Sequence, residues 1–207
     1  MNDQSVNDNL KSTETEMALK EWAIVCAALA AGKQILIIRK GGIDEGADGF
    51  KPEHSDFWLF PTNFHQDASA LNENGQNWLK NLSDHSPLQS PAAGEISLQT
   101  FCHVEEVFRV EHESQIQLLE SMQILSAETL TKRFHYREPG LWLLAVRAYQ
   151  QLQPVTLPDS EHFSGCRSWV DLPAKLAASV MEPVLSDEEF QQKLKQLKHL
   201  LTISEIV

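Results

Sequence analysis

The chain has 207 residues, a length typical of one domain with a sizeable core. Its 17 Lys and Arg against 29 Asp and Glu give a net charge of −12, which argues against broad binding to a phosphate backbone but leaves room for a local basic cleft. The 3 cysteines are far apart and indicate neither a disulfide framework nor a thiolate zinc site. With no apolar run of the ~20 residues that span a membrane, we expect a soluble, cytoplasmic protein without membrane contact.

The first element is ambiguous. Residues 1–16 are polar and acidic without periodicity, which predicts a disordered acidic tail before a single domain over 17–207. Residues 17–31 are rich in alanine and are followed by Gly32, a pattern that favours a buried helix. The alternative is a strand that pairs with residues 35–38.

Four stretches read as strands. The apolar runs 35–38 and 57–60 are bounded by glycine and proline, which is typical of buried strands. Residues 96–110 alternate, with Cys102, Val104 and Phe108 on one predicted face. Residues 141–149 are apolar on both faces apart from one arginine, which predicts a central strand.

Helices are predicted between and after these strands. A cap-like Ser126 precedes a short helix that ends before Pro139. A capping box at Ser186 and Glu189 begins a C-terminal helix over about 186–201. Helices and strands intermix without a regular βαβ cycle, so the sequence predicts an α+β fold: one domain with a central mixed β-sheet flanked by helices.

Five blocks of this sequence carry a family resemblance: KEWAIVCAAL, RKGGI, EHSDFWLFPTNFHQ, RFHYREPGLWLLAVRAYQ and GCRSWVDLP. Together they resemble the bacterial family catalogued as domain of unknown function 1802, over about residues 18–173. The resemblance implies no established activity and no catalytic residues. Some members are associated with restriction-endonuclease-like domains, so the resemblance implies a setting in restriction or DNA defence.

Polar residues gather around the first two strands. Arg39 and Lys40 precede two glycines and can bind an anion, but the pattern favours a strand that ends in a solvated turn. Glu53, His54 and His65 flank the second strand and suit acid–base work or a divalent metal. No compact spacing such as HExxH supports a metal, so we expect surface histidines and no bound metal.

Two charged residues fall at positions that alternation assigns to the core. Glu106 shares its predicted face with Cys102 and Phe108, and Arg147 interrupts the central strand. An unpaired buried charge costs several kcal/mol, so each needs a partner or a bulge that turns it outwards. The pattern predicts that Glu106 and Arg147 form a buried ion pair, either structural or part of a site.

The most basic stretch is 132–137, KRFHYR, in which His135 and Arg137 accompany two aromatic residues. Cations interleaved with aromatic rings can meet phosphates while the rings stack on bases. The end of an amphipathic helix, with its rings in the core and its cations in solvent, produces the same string.

Two functions from different classes fit these observations. The first is a nucleic-acid-linked module, associated with restriction or DNA defence, that contacts nucleic acid through a local basic cleft. The second is a non-catalytic protein-interaction or small-ligand-binding domain, which suits the acidic charge. The sequence identifies no cofactor, enzyme activity or oligomeric state. Convergence of five cations on one cleft would favour the first: Arg39, Lys40, Lys132, Arg133 and Arg137.

Overall fold

The computed structural model describes residues 15–40, 54–62, 68–80, 94–165, 167–176 and 181–203. In these residues the strands are Thr15–Trp22 (β1), Leu36–Arg39 (β2), Asp56–Thr62 (β3), Glu95–Val110 (β4), Leu141–Pro158 (β5), Trp169–Leu176 (β6) and Met181–Pro183 (β7). The α-helices are Ala23–Ala30 (α1), Glu73–Lys80 (α2), Ser114–Leu118 (α3), Ala127–His135 (α4) and Asp187–Ile203 (α5). None of the helices in these residues has the length and apolar character needed to cross a membrane.

The strands form one mixed sheet in the order β2-β5-β4-β3-β1-β6, with β7 paired to β5. β1 and β3 are parallel, and the other pairs are antiparallel. The parallel pair requires a crossover, which α1 and β2 provide along the chain. The predicted α+β domain with a central mixed sheet is confirmed, as are the strands expected around 35–38, 57–60, 96–110 and 141–149.

Residues 17–31 divide into a strand and a helix, so neither prediction for this stretch holds throughout. β1 extends to Trp22 and pairs with β3 and β6, not with residues 35–38. α1 then carries the alanine-rich sequence, and Gly32 follows it at φ 64, a left-handed conformation typical of helix ends. Two strand partners, distant in sequence, override the helical preference of the first half.

The predicted tail falls almost entirely outside the described residues. Thr15 and Glu16, its last two residues, are the first residues of β1. The first strand therefore begins two residues before the predicted start of the domain.

The two predicted helix starts are present. Ser126 accepts a hydrogen bond at its hydroxyl from the Thr129 amide at 3.2 Å and begins α4. Ser186 and Glu189 form the predicted capping box, in which the Ser186 amide donates to Glu189 Oε2 at 2.9 Å and the Glu189 amide donates to Ser186 Oγ at 3.3 Å. α5 runs two residues further than predicted, to Ile203.

A β-bulge in β4 overturns the predicted pairing of Glu106 with Arg147. Val104 pairs with Val146 but Glu106 pairs with Ala145, so Glu105 is an extra residue. Because a bulge interrupts the two-residue alternation, Glu106 moves from the face of Cys102 to the opposite face. There its side chain is 37% exposed and accepts from Lys198 of α5.

Arg147 has other partners than the predicted one. Its Nε lies 3.4 Å from Glu105, its Nη1 donates to Asp187, and its guanidinium lies 4.6 Å from the Phe190 ring centroid. These contacts attach the start of α5 to the sheet. The predicted ion pair was therefore wrong by one residue, since the bulge residue Glu105 takes the place assigned to Glu106.

The core has two clusters of buried residues. The larger contains most of α1, all of β2 except its last residue, and the buried apolar residues of α3, α4 and α5. The smaller surrounds Trp58 and Phe101, whose rings meet edge to face at 5.7 Å. The sheet between them curls: Arg39, at the end of β2, reaches the carbonyl of Lys20 in β1 and the hydroxyl of Ser168 before β6.

Replacing Glu106 with glutamine should lower the free energy of unfolding by less than ~1 kcal/mol, because its ion pair with Lys198 is exposed. Urea denaturation followed by circular dichroism measures this difference. A loss of several kcal/mol would mean that Glu106 is buried as the alternation predicted, and that the bulge is absent.

Candidate functional site

A buried carboxylate lies where β1 meets α1. The Glu21 side chain is 2% exposed, and its Oε1 accepts from the Trp22 amide at 2.8 Å. Arg39 Nη1 lies 3.2 Å from Glu21 Oε2 and donates to the Lys20 carbonyl at 3.0 Å, while Nη2 donates to Ser168. Since an uncompensated buried charge is costly, this ion pair fixes the end of β2 against β1 and the start of β6.

A second arginine approaches the same carboxylate from α4. Arg133 Nη1 donates to the Ile38 carbonyl at 3.0 Å, and the guanidinium lies 4.7 Å from the Trp22 ring centroid, within cation–π range. Burial lowers the pKa of Arg133, Glu21 raises it, and Arg39 lowers it. An arginine keeps its proton even so. The buried Glu21 carboxylate therefore pairs with Arg39 and also attracts the Arg133 guanidinium electrostatically.

Lys40 continues the cluster towards the end of α4. Its Nζ donates to three backbone carbonyls: Phe134 at 3.1 Å, Gly140 at 3.0 Å, and Glu138. The carbonyls at a helix C-terminus lack intrahelical partners, and the helix dipole is negative there, so a cation is favoured. Burial and then Arg109 lower the pKa of Lys40, and Glu138 raises it.

Arg109 completes the group. Cross-strand pairing places Arg39, Trp142 and Arg109 in one row across β2, β5 and β4. The Arg109 guanidinium lies 4.8 Å from the Trp142 ring centroid, and its Nη2 donates to the Pro139 carbonyl at 3.3 Å. We call Arg39, Lys40, Arg109 and Arg133 the cationic corner.

The loop that follows α4 lies against the cationic corner. Tyr136 is 50% exposed, and the Arg137 guanidinium lies 5.3 Å from its ring centroid. Arg137 has φ 63, the left-handed region, and is the non-glycine residue with positive φ in the described part of the chain. Such a conformation persists only where the surrounding contacts impose it. The loop thus holds an aromatic ring and a cation outwards together.

The structure separates the residues that the sequence singled out. Arg39 and Lys40 belong to the cationic corner, and Arg137 lies beside it. His135 bonds Glu113 at 2.7 Å, and the His54 ring meets Trp169 edge to face at 5.2 Å.

The remaining candidates lie elsewhere. Glu106 and Arg147 contact α5, and Glu53 and His65 lie outside the described residues. Convergence of five cations on one cleft was the criterion for a nucleic-acid-binding module. Of these five, Arg39, Lys40 and Arg133 lie close together. Lys132 instead pairs with Glu128 at 2.6 Å, on the exposed side of α4.

Sequence reasoning missed Glu21, Trp22, Arg109 and Trp142. One signal was available: Glu21 is a lone carboxylate directly before a fully apolar helix, and it lies in a stretch predicted to be buried. Its partner Arg39 lies 18 residues away on another strand, and no local pattern connects the two.

Metal and thiol chemistry have little support in the described residues. No group of three or more His, Cys, Asp or Glu among them is placed to hold a metal ion. Cys26 and Cys102 are buried and unpaired, and burial raises the pKa of both thiols, so neither is a reactive thiolate at neutral pH.

The fold and site together define an α+β domain with a cationic corner at one end of a curled mixed sheet. The chain belongs to the family described as domain of unknown function DUF1802, whose model matches residues 18–196. No curated protein matches the chain.

Solved structures show a distant similarity. The ASCH protein from Zymomonas mobilis has 14% identity and a TM-score of 0.46, covering 88% of this chain and 95% of that one. A single-substitution mutant of the same protein has 12% identity and a TM-score of 0.44, covering 90% and 98%. Similarities of this size assign no function to this chain.

Replacing Glu21 with glutamine should lower the free energy of unfolding by ~3–5 kcal/mol, because it leaves Arg39 and Arg133 without their buried counter-charge. Urea denaturation measures the loss. Glu16→Gln, an exposed change on the same strand, is the control and should have little effect. The double variant Glu21→Gln/Arg39→Met should recover part of the loss, and strictly additive losses would contradict the pairing.

Replacing Gly140 with alanine should lower the free energy of unfolding by ~1–3 kcal/mol. Gly140 has φ 128, and an added Cβ would lie 2.3 Å from Arg109 Nη2, so the substitution strains the backbone and displaces the guanidinium. Gly94→Ala is a matched control: this glycine also has positive φ, at 87, but its Cβ would meet nothing within 4 Å. Equal losses in both variants would show that the contact with Arg109 contributes nothing.

Proposed function

We propose that this domain binds single-stranded nucleic acid, without catalysis, through Tyr136 and Arg137 beside the cationic corner. The observation that carries the proposal is the exposed Tyr136 ring with the Arg137 guanidinium against it, on a loop held by Lys40 and Arg109. An exposed ring can stack on an unpaired base, and an adjacent guanidinium can form paired hydrogen bonds with a phosphate.

The charge distribution supports a local site. The net charge of −12 makes most of the surface unfavourable to a phosphate backbone. At the cationic corner the positive charges outnumber the negative ones. The cations there are Arg39, Lys40, Arg109 and Arg133, and the carboxylates near them are those of Glu21 and Glu138. Arg137 adds a further charge at the exposed edge. A bound strand would therefore be confined to this end of the sheet.

Not every cation at the corner is available to a ligand. Arg39 and Lys40 donate to carbonyls and side chains of the protein itself. Arg133 is partly buried against the Trp22 ring and donates to the Ile38 carbonyl, so its guanidinium is also directed at the protein. We therefore assign phosphate contact to Arg137 and, at the exposed edge, Arg109.

A role in DNA defence is the narrower form of this proposal, and it requires that the site prefer DNA to RNA. The second candidate function is protein interaction. Tyrosine and arginine dominate binding energy at protein interfaces, and the exposed Tyr136–Arg137 pair has that composition. An acidic protein surface elsewhere does not oppose such a partner.

The test is fluorescence anisotropy with labelled oligo(dT) and oligo(U) of about 12 nucleotides. Wild type should bind, and Tyr136→Ala should weaken binding about tenfold, as expected for a lost stacked base worth ~1–3 kcal/mol. Leu152→Ala is the control, because Leu152 is 65% exposed but lies in the second half of β5. It should leave binding unchanged.

Salt dependence gives a second measurement. Two phosphate contacts should give a slope of log K against log[salt] of about −1.4 for a single strand. Absence of binding by the wild type, or equal effects of Tyr136→Ala and Leu152→Ala, would sink the proposal and favour a protein partner. Equal affinity for both oligonucleotides would remove the narrower DNA-defence form.

A further inference from the structure

The contacts of Lys40 resemble those of a bound cation. Its ammonium group has three N–H donors, and three backbone carbonyls accept from it: Phe134, Glu138 and Gly140. The first belongs to the last turn of α4, and the other two belong to the loop that carries Tyr136 and Arg137. The amine thus joins a helix end to a loop across 94 to 100 residues of sequence.

We propose that Lys40 is the positioning residue for the Tyr136–Arg137 pair, acting as the tethered cation of a site made of three backbone carbonyls. The role of Lys40 in ligand binding rests on the proposed function, whereas its role in holding the loop does not. The donors of Lys40 are directed at the protein, so it acts on a ligand through the loop.

The loop depends on few contacts. Residues 135–139 are all exposed, so little apolar surface holds them. In the described part of the chain, the side chains that donate to its carbonyls are Lys40 and Arg109. Two backbone hydrogen bonds join its ends to α4: the Tyr136 amide donates to the Arg133 carbonyl at 3.2 Å, and the Gly140 amide donates to the Phe134 carbonyl at 3.1 Å. A segment with so few contacts opens locally when one is removed.

A lysine suits this arrangement of three carbonyl acceptors better than an arginine. An ammonium group directs its three donors in a pyramid, whereas a guanidinium group holds its donors in one plane. Arg109 shows the difference at the same loop, where it reaches a single carbonyl, that of Pro139. Lys40→Arg should therefore keep the charge but hold the loop less well.

The experiment is chemical rescue of Lys40→Ala. Alanine lacks three carbons and the amine of lysine, and propylammonium has these same atoms. The readouts are hydrogen exchange of the Tyr136 and Gly140 amides, which donate to the Arg133 and Phe134 carbonyls, and anisotropy with the labelled oligonucleotide. We expect exchange about tenfold faster and binding several-fold weaker in Lys40→Ala, since the loop is no longer held in its binding conformation.

Propylammonium should restore both readouts, whereas tetramethylammonium, which has the same charge but no N–H donor, should restore neither. Lys132→Ala is the matched control, because it also removes one positive charge. Lys132 lies on α4, where its side chain is exposed and pairs with Glu128. This variant should change neither readout.

The proposal for Lys40 fails if Lys40→Ala leaves loop exchange unchanged, or if propylammonium restores nothing in the folded variant. If Lys40→Ala does not fold, Lys40→Arg replaces it in the experiment. Amide exchange as slow in Lys40→Arg as in the wild type would also overturn the proposed match between the lysine ammonium group and the three carbonyls. If wild type binds no nucleic acid, the proposed function fails, while the exchange measurements still decide the role of Lys40.

Discussion

The buried ion pair of Glu21 and Arg39 is the constraint on which this end of the molecule depends. A carboxylate enclosed between β1 and α1 needs a counter-charge, and that need brings the last residue of β2 onto β1 and Ser168. Once Arg39 is there, Lys40 follows it to the end of α4, and Arg133 packs on Trp22 beside the same carboxylate. The edges of the sheet curl together as a result.

The cations at this corner divide into two kinds. Arg39 and Lys40 donate hydrogen bonds to the protein itself and hold its elements together. Arg137 is exposed to solvent and lies against Tyr136, on the loop to which Lys40 donates hydrogen bonds. Arg39 and Lys40 therefore fix the geometry of this corner, and Arg137 remains exposed beside it. This division explains why the basic stretch 132–137 does not act as one unit, since Lys132 and Arg133 lie on different sides of α4.

One extra residue in β4 overturns the prediction that was made from the alternation of apolar and polar residues. The bulge at Glu105 reverses the faces of every residue after it in β4, so Glu106 pairs with Lys198 and Arg147 with Glu105 and Asp187. A bulge leaves no sequence signature here, because both glutamates are charged and either would fit the extra position. The need for partners was predictable, but their identity was not.

By itself the sequence determined the α+β class, the strands around 35–38, 57–60, 96–110 and 141–149, and the capped starts of α4 and α5, because periodicity and capping are local. Tertiary structure decided the rest. Residues before Ala23 became a strand because β3 and β6 pair with them, although the sequence predicted that the helix starts at residue 17. The contacts of the site join Glu21 to Arg39 and Lys40 to Gly140, which lie 18 and 100 residues apart. Such contacts arise from packing between elements, and no short-range pattern in the chain records them.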